Sequence, residues 1–295
     1  CHVLRYSPFY MKMREVIKSG EIGDVVTISQ TENVAYWHDA HSYVRGAWRN
    51  KEESSPMILA KCCHDLDIIF WLLGKKCKKV SSFGDLYYFK KENAPEGSAD
   101  RCFKCDKTVR KDCPYDAFKI YNDIYKAYNP ILGNAMDFRG TRREYIDKLL
   151  SDETYPYGRC VFACDNDVVD HQVVNMLFEG NVTAQLTMTA FSKDCHRCIK
   201  VHGTLGETVA DMEENSILVK PFRSDDYVID ITKYATDLTV HGGGDKPLFE
   251  DFVSYVTGGA PTETRTTLED SLISHRMSFA AEESRLDGGK PIEIK

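Results

Sequence analysis

Hydrophobic and polar residues along this chain recur with two periods, about 3.6 residues in predicted helices and about two in predicted strands. A helix is predicted over Phe9–Ser19, because Ser7 can cap its N-terminus, Pro8 suits its first position and Gly20 can end it. The residues before it, 1–6, are predicted to be the end of a strand.

The most apolar helix is predicted from Pro56 to Leu73. Apolar residues surround most of its circumference, so it should be largely buried. Two further helices are predicted over about 245–257 and 267–285. Residues 33–50 are rich in His, Tyr, Trp and Arg and follow neither period, so they are predicted to form a loop.

Stretches rich in β-branched residues predict a long series of strands. They are 25–30, Val80–Tyr88, Val168–Phe178, Val182–Ala190, Arg197–Gly203, Thr208–Met212, Ser216–Pro221, Tyr227–Thr232 and Pro291–Lys295. Their succession predicts an α+β fold, with a large open, mainly antiparallel β-sheet and helices on one face. We expect the other face to carry many β-branched and apolar residues and to be available for a subunit contact.

Residues from about 90 to 160 break this rhythm. They contain a polar loop, a cluster of cysteines, and helical patterns around 115–128 and 141–151. We interpret this segment as an insertion that lies over the main domain.

Composition narrows the class of protein. The 295 residues include 38 Lys+Arg and 45 Asp+Glu, so the net charge is −7, which argues against a nucleic-acid partner. No apolar run approaches the roughly 20 residues of a membrane span, so no membrane partner is expected. No signal peptide opens the chain, and the 11 cysteines are an odd number. A reducing, cytoplasmic location is therefore expected. The chain begins at Cys1 without a Met and is expected to be a fragment.

The cysteine spacing predicts a structural zinc site in the insertion. Cys102 and Cys105 are separated by two residues, and Cys113 follows after seven more. Two thiolates at this spacing can share one zinc ion, which needs four ligands in a closed tetrahedral site. Cys160 or Cys164 could supply the fourth ligand, and the spacing leaves both open.

Several common catalytic signatures are missing from the sequence. It contains no G-x-G-x-x-G turn, no P-loop, no G-x-S-x-G elbow and no H-E-x-x-H zinc motif. A dinucleotide site of the usual kind therefore needs residues outside this sequence.

The order of six short motifs resembles the C-terminal part of the Gfo/Idh/MocA oxidoreductases. They are Leu4–Pro8, Ser19–Val25, Trp48-Arg49, Ser55-Pro56 with the following His64–Asp67, Gly203–Glu207 and Ser278–Ser284. The resemblance implies that residues 1–19 are the last strand and connecting helix of a Rossmann domain. Residues 20–295 would be the substrate-binding and oligomerisation domain. It also implies NAD or NADP as cofactor, a sugar or polyol as substrate, and a homo-oligomer, dimer or tetramer, formed through the sheet face.

The same resemblance places His64 at the position of the family's catalytic histidine, where it would act as acid and base. On a continuous helix Lys61 and Asp67 would lie close to His64. Asp67 could then orient the imidazole ring, and Lys61 could polarise the substrate oxygen. Many relatives have an Asp where this chain has Ala60. The simpler alternative is a buried helix histidine that bonds Asp67 and has no catalytic role.

Further candidates for substrate binding are polar or aromatic groups of the kind that sugar sites use. In the loop-like segment they are His38, Arg45, Trp48 and Arg49. Asp170-His171 could point at the same pocket, and His241, ahead of three glycines, could close over the substrate. For these last three a structural role is the simpler interpretation.

The function expected from the resemblance is an NAD(P)-dependent sugar or polyol dehydrogenase, of inositol-dehydrogenase type. Two alternatives stay open. One is glycoside cleavage or epimerisation that uses a bound nicotinamide without net redox change. The other is a non-catalytic sugar-binding or scaffold protein.

Overall fold

The computed structural model describes residues 2–125, 130–131 and 139–294, and within them nine strands form one sheet. The strands are β1 Val25–Asn33, β2 Cys77–Asp85, β3 His171–Phe178, β4 Thr183–Thr189, β5 His196–Gly203, β6 Gly206–Asp211, β7 Ser216–Pro221, β8 Tyr227–Asp230 and β9 Ile292–Glu293. Their order is β8-β7-β6-β5-β1-β4-β3-β2-β9. Neighbours are antiparallel except β1 and β4, which are parallel. The predicted α+β fold class is confirmed.

Helices cover one face of this sheet. The helices of the described residues are α1 Pro8–Ser19, α2 Tyr36–Asp39, α3 Met57–Ala60, α4 Cys63–Leu73, α5 Lys107–Asp112, α6 Ala117–Lys119, α7 Arg142–Leu150, α8 Asp245–Val256 and α9 Leu268–Leu286, and α1, α4 and α9 contact the sheet. Helix α9 packs against β2 and α4, and α1 packs against α4 and β7. The side chains beneath them, such as Ile28, Leu186 and Val201, are fully buried. In the described part of the chain, no helix has the length and apolarity needed to cross a membrane.

The opposite face of the sheet is open, and its centre is polar rather than apolar. Ser29, Asn175, Thr183, Gln185 and Lys200 are exposed there, on neighbouring strands β1, β3, β4 and β5. The β-branched residues expected on this face are present, for example Thr27, Thr187 and Val173. The exposed positions at the centre are nevertheless polar rather than apolar, because the alternation places the polar member of each pair outward.

The N-terminal residues do not form the predicted strand. Val3–Tyr6 is a 3₁₀ turn, because within the described residues no strand lies beside it to pair its backbone. The following helix α1 begins and ends as predicted. Ser7 Oγ accepts a hydrogen bond from the Tyr10 N–H at 3.3 Å, and Gly20 ends the helix with φ 76°, a conformation that glycine adopts without strain.

Two helical predictions need correction. Residues 33–50 are not simply a loop, because α2 continues into a π-helix over Ala40–Arg45. This segment is largely buried, so it lacks the alternation of exposed and buried positions that identifies a surface helix. The helix predicted from Pro56 to Leu73 is interrupted at Lys61-Cys62, which separates α3 from α4.

The insertion lies between β2 and β3 and has a hydrophobic cluster of its own. Phe89, Tyr121, Ile146 and Phe162 belong to it, as does Val44 of the π-helix. The helix expected at 141–151 is α7, and the one at 115–128 appears as α6 followed by a π-helix over Ile120–Ile124. Residues 126–128 of that prediction lie outside the described residues.

Candidate active site

A buried network of charges lies between the centre of the sheet and helix α4. Glu32 of β1 and Arg197 of β5 are direct partners across the strand pair, and Arg197 Nε lies 2.7 Å from a Glu32 carboxylate oxygen. The same Nε lies 3.0 Å from Asp65 of α4. Lys61 Nζ lies 3.1 Å from the other Glu32 oxygen, and Gln30 donates to Asp65 at 2.6 Å. Two carboxylates thus face two cations, so the network is neutral overall.

Burial decides the protonation of this network. Glu32 is 1% exposed and Asp65 is fully buried. Burial raises the pKa of Glu32, while Arg197 and Lys61 oppose that shift. Lys61 and Arg197 contact Glu32, and Arg197 also contacts Asp65. Each carboxylate therefore keeps a counter-charge even without water.

His64 lies at the second position of α4, immediately after the helix interruption. Burial lowers its pKa to about 4; Asp65 opposes the shift, whereas Arg197, His241 and Lys61 add to it. The imidazole is therefore neutral at neutral pH. Its Nδ1 is buried and has no hydrogen-bond partner in the part of the chain that the structure describes, which is a costly state for a polar atom.

The predicted pairing of Asp67 with His64 is absent. Asp67 instead accepts two hydrogen bonds from Arg5, at 2.7 and 2.6 Å, and both side chains are buried. Asp67 faces the N-terminal turn and fixes it to α4. The alternative that a bond from Asp67 explains the position of His64 is wrong for the same reason.

Lys61 is also placed differently from the sequence expectation. It belongs to the interruption between α3 and α4, so it does not share a continuous helical face with His64. It still lies close enough that its charge lowers the pKa of His64. Its side chain is 18% exposed, and an ammonium group has two further N–H donors beyond the one that Glu32 uses.

His38 and Tyr43 extend the site outward from the charge network. Burial lowers the pKa of His38 to about 3, and the charges of Lys61, His41 and Arg197 add to the shift. The rings of His38 and Tyr43 lie 6.2 Å apart edge to face, and Trp48 lies 6.2 Å from Tyr43. Because Trp48 is 49% exposed, this aromatic series leads from the network to the surface.

His241, whose charge also lowers the pKa of His64, lies in the 3₁₀ turn Val240–Gly243. It has φ 47°, which is unusual for a residue other than glycine. Its Nδ1 is 3.0 Å from the Asp245 carboxylate, and about half of its side chain is exposed. The predicted group therefore includes His38, Lys61, His64 and His241 around one region.

Four other predicted substrate ligands bond to protein groups outside this region, and Arg45 and Arg49 are two of them. Arg45 is 1% exposed and donates to the carbonyls of Arg159 and Tyr115, so its assignment to substrate binding is corrected. Arg49 makes two hydrogen bonds to Asp165, at 2.8 and 2.9 Å, on the surface.

Asp170 and His171 form a separate structural contact. Asp170 is buried and accepts the backbone N–H groups of Tyr87 and Tyr88 at 2.9 and 2.7 Å. His171 Nδ1 lies 2.9 Å from Asp170. This contact closes the two ends of the insertion onto the sheet, which agrees with the structural interpretation of both residues.

Glu32, Asp65, Arg197 and Tyr43 were not predicted as site residues. Two of them could have been found from strand alternation. Glu32 shares its strand face with the buried Ile28, and Arg197 shares its face with Ile199 and Val201. A charged residue at a position that alternation assigns to the core indicates a buried ion pair or a functional site.

The cysteines of the insertion meet around a cavity apart from this site. Cys102, Cys105, Cys113 and Cys160 all line one cavity of about 20 Å³. The Sγ of Cys164 instead lies 3.2 Å from the Cys160 carbonyl oxygen.

Among the described residues, no three of these sulfur atoms all lie within 4.8 Å of one another, as ligands of one bound ion would. In residues 2–125, 130–131 and 139–294, the group of three possible ligands whose atoms lie within 4.8 Å of one another is His196, Cys198 and Asp211. That group lies on the open sheet face, where a 2.7 Å hydrogen bond between His196 and Asp211 accounts for its closeness.

Comparison with known proteins gives a consistent family. The sequence profile described as the oxidoreductase family C-terminal alpha/beta domain (GFO_IDH_MocA_C) matches residues 14–294. The protein YteT of Bacillus subtilis (strain 168), which carries the name of an oxidoreductase, is 24% identical over 262 residues. That match covers 84% of this chain and 58% of YteT, so the chain spans less than two thirds of that relative.

Solved structures share the fold at low sequence identity. An oxidoreductase domain protein from Kribbella flavida superposes with a TM-score of 0.64 at 14% identity, over 100% of this chain and 64% of that one. A levoglucosan dehydrogenase in complex with NADH superposes with a TM-score of 0.62 at 13% identity, over 100% of this chain and 65% of that one.

Proposed function

The chain belongs to the Gfo/Idh/MocA family of oxidoreductases, and from this premise we propose that the full-length protein is an NAD(P)-dependent dehydrogenase that oxidises a hydroxyl group of a sugar or polyol. The observation that carries the proposal is the neutral His64, whose buried Nδ1 has no partner. A general base must be unprotonated before it accepts a proton, and His64 meets this condition at neutral pH.

The neighbouring charges suit the other half of the reaction. As the hydroxyl proton leaves, negative charge develops on the substrate oxygen. The largely buried Lys61 ammonium lies 3.1 Å from Glu32, and the N–H groups that Glu32 does not use could stabilise this charge. Because Glu32 holds Lys61 in place and is itself held by Arg197, this stabilisation would need little rearrangement of the protein.

The aromatic series supports a sugar or polyol as substrate. His38 offers a neutral ring with donor and acceptor nitrogens, and Tyr43 offers a hydroxyl. The half-exposed Trp48 offers a flat surface for the C–H face of a sugar ring. The levoglucosan dehydrogenase with the same fold acts on such a molecule, and this likeness supports the substrate class for the present chain.

The cofactor needs residues beyond those described here. No G-x-G-x-x-G turn occurs in the sequence, so the described residues do not fit the pyrophosphate of a dinucleotide. In this proposal another part of the protein holds NAD or NADP. A nicotinamide held there would supply the hydride acceptor, and His64 would take the hydroxyl proton.

The test is an assay of the full-length protein against a panel of sugars and polyols, with NADH and NADPH formation as the readout. His64→Ala should lower kcat at least about 100-fold, because general base catalysis contributes that much or more. His202→Ala is the matched control, since His202 lies on the open sheet face and pairs with Glu207 at 3.2 Å. Turnover at the wild-type rate in His64→Ala would overturn the role of His64.

The same assay separates the alternatives. Product that forms without net NADH or NADPH would indicate glycoside cleavage or epimerisation through a transient oxidation. Saturable sugar binding in calorimetry, with no product of either kind, would indicate a non-catalytic binding protein. Both outcomes contradict the dehydrogenase proposal.

We also propose that the full-length protein forms a homo-oligomer through the open sheet face. The exposed polar side chains at the centre of that face favour a hydrated contact over a dry one. Light scattering of the full-length protein should show a dimer or tetramer. A replacement such as Gln185→Arg, which places a charge at the centre, should shift it toward monomer.

A further inference from the structure

Four cysteine side chains from separate segments of the insertion line one small cavity. Cys102 begins a 3₁₀ turn and Cys105 follows it directly. Cys113 follows helix α5, and Cys160 precedes the next 3₁₀ turn. The cavity has a volume of about 20 Å³, enough for one particle of the size of a water molecule.

The backbone brings the two distant ends of this motif together. Arg101 and Arg159, which precede Cys102 and Cys160, form an antiparallel β-bridge. The Cys160 N–H also donates to the Asp100 carbonyl at 2.9 Å. The two thiols therefore enter the same cavity from two paired backbone segments, although 57 residues separate them in sequence.

A buried positive charge also points into this cavity. Arg45 is 1% exposed and lines the cavity, and its Nη1 has no hydrogen-bond partner among the described residues. Its other nitrogens donate to the carbonyls of Arg159 and Tyr115, and Nη2 lies 3.7 Å from Cys102 Sγ. In that part of the chain no carboxylate forms an ion pair with it. A buried guanidinium needs a counter-charge, because desolvation is costly.

We propose that Cys102, Cys105, Cys113 and Cys160 bind one zinc ion, and that the resulting thiolate centre is the counter-charge of Arg45. Four thiolates around Zn²⁺ carry a net charge of −2 at the centre. Arg110 at the rim is already balanced by Asp116 at 2.9 Å, so Arg45 is the cation that such a centre would neutralise.

The choice of metal follows from the ligands. Soft thiolates favour zinc over hard cations, and a Cys-x2-Cys turn is a common half of a tetrahedral zinc site. With zinc–sulfur bonds of about 2.3 Å, the sulfur atoms would lie about 3.8 Å apart. Binding therefore draws the four thiols inward around the cavity, and each releases its proton. Cys160 is the fourth ligand, since Cys164 does not line the cavity.

Zinc at this position would also support the candidate active site. Arg45 is the last residue of the π-helix Ala40–Arg45, and Tyr43 of the site belongs to the same helix. A zinc centre that fixes Arg45 would therefore fix one wall of the site, although zinc takes no part in the chemistry.

The first test is the metal content of the full-length protein, purified from zinc-containing medium without chelators. About one equivalent of zinc is expected. Cys105→Ser should reduce it below about a tenth of an equivalent, because a structural site loses most of its affinity with one ligand. Cys164→Ser is the matched control in the same insertion and should keep the full equivalent. A zinc-free wild-type protein, or equal losses in both variants, would overturn the proposal.

Cys105→His keeps the test decisive if Cys105→Ser does not fold. Histidine is an alternative zinc ligand, so this variant should retain the metal and should give a shifted absorption spectrum after replacement of zinc by Co²⁺. Wild-type protein with Co²⁺ should show the intense visible bands of tetrahedral cobalt thiolate. A mercurial reagent should release one zinc per four thiols. Two of the four thiols found joined in a disulfide without reductant would contradict the proposal.

Discussion

Glu32 and Arg197 face each other across the β1–β5 strand pair, with 2.7 Å between a carboxylate oxygen and Nε, on the side of the sheet that the helices cover. Both positions belong to the core by strand alternation. The ion pair therefore lies where an apolar pair would otherwise be expected. It is stabilised by Asp65 and Lys61, which complete a neutral set of four charges.

Replacement of Glu32 should destabilise the protein strongly. Glu32→Gln removes the carboxylate that Lys61 contacts and leaves Arg197 with Asp65 alone. Loss of one partner of a buried pair costs about 3–5 kcal/mol, because the remaining charge stays buried. Urea unfolding followed by circular dichroism should show this decrease in the free energy of unfolding.

A double replacement distinguishes charge balance from simple loss of contacts. Glu32→Gln combined with Lys61→Met restores equal numbers of positive and negative groups. We expect its loss of unfolding free energy to be smaller than the sum of the losses in the two single variants by about 1 kcal/mol or more, since residues in contact are energetically coupled. Strict additivity would mean that the network does not act as a neutral unit.

The Arg5–Asp67 pair should be worth more than an exposed pair nearby. Both side chains are at most 3% exposed and share two hydrogen bonds. Asp67→Asn should therefore cost about 3 kcal/mol in unfolding free energy. In the matched control, Glu15→Gln, the Lys12–Glu15 pair at 2.6 Å has side chains 24% and 60% exposed. Its loss should cost under about 1 kcal/mol, and equal effects would contradict this ranking.

The strands and the end helices could be predicted because their signals are local. Each strand of the sheet alternates between a covered and an open face, and α1 has a cap before it and a glycine after it. The 3₁₀ turn Val3–Tyr6 and the π-helix Ala40–Arg45 could not be found this way. Both are packed on several sides by distant segments, so no periodic exposure marks them.

The site was less predictable, because its contacts depend on side-chain direction. His64 could be named from the resemblance, but the interruption at Lys61-Cys62 breaks the helical spacing to Lys61. Asp67 shares α4 with His64, yet it is engaged by the distant Arg5. Arg45 was predicted as a substrate ligand because it lies among polar and aromatic groups of the kind that sugar sites use. Its burial follows from the insertion, whose packing no local pattern encodes.

Acid should destabilise the protein through its buried histidines. The pKa of His38 is lowered from 6.5 to about 3, and that of His64 to about 4. Between pH 6.5 and these values each of the two histidines binds more protons in the unfolded chain than in the folded one. The stability that these two histidines contribute is therefore complete above pH 6.5 and falls as the pH decreases. Each histidine should contribute at most about 1.4 kcal/mol per pH unit in this window.

His38→Gln tests how much His38 contributes to the pH dependence of the unfolding free energy. Unfolding free energies at several pH values between 7 and 5 should fall less steeply in this variant than in the wild type. Gln185→Ala, on the open sheet face and without a titratable group, should keep the wild-type slope. An unchanged slope in His38→Gln would mean that the folded protein accepts a proton on His38 as easily as the unfolded chain.

Trp48 should contribute to substrate binding rather than to stability or the chemical step. It is 49% exposed and lies 6.2 Å from Tyr43 at the outer end of the site. Loss of an aromatic contact costs about 0.5–1.5 kcal/mol, so Trp48→Ala should raise KM about two- to twelvefold in the full-length protein. The value of kcat should change little, because this contact is the same in the ground state and the transition state.

Trp48→Phe should keep most of the affinity. Phe222→Ala removes an aromatic ring that is 67% exposed far from the site, and its KM should equal that of the wild type. An unchanged KM in Trp48→Ala would place the substrate away from the His38–Trp48 series.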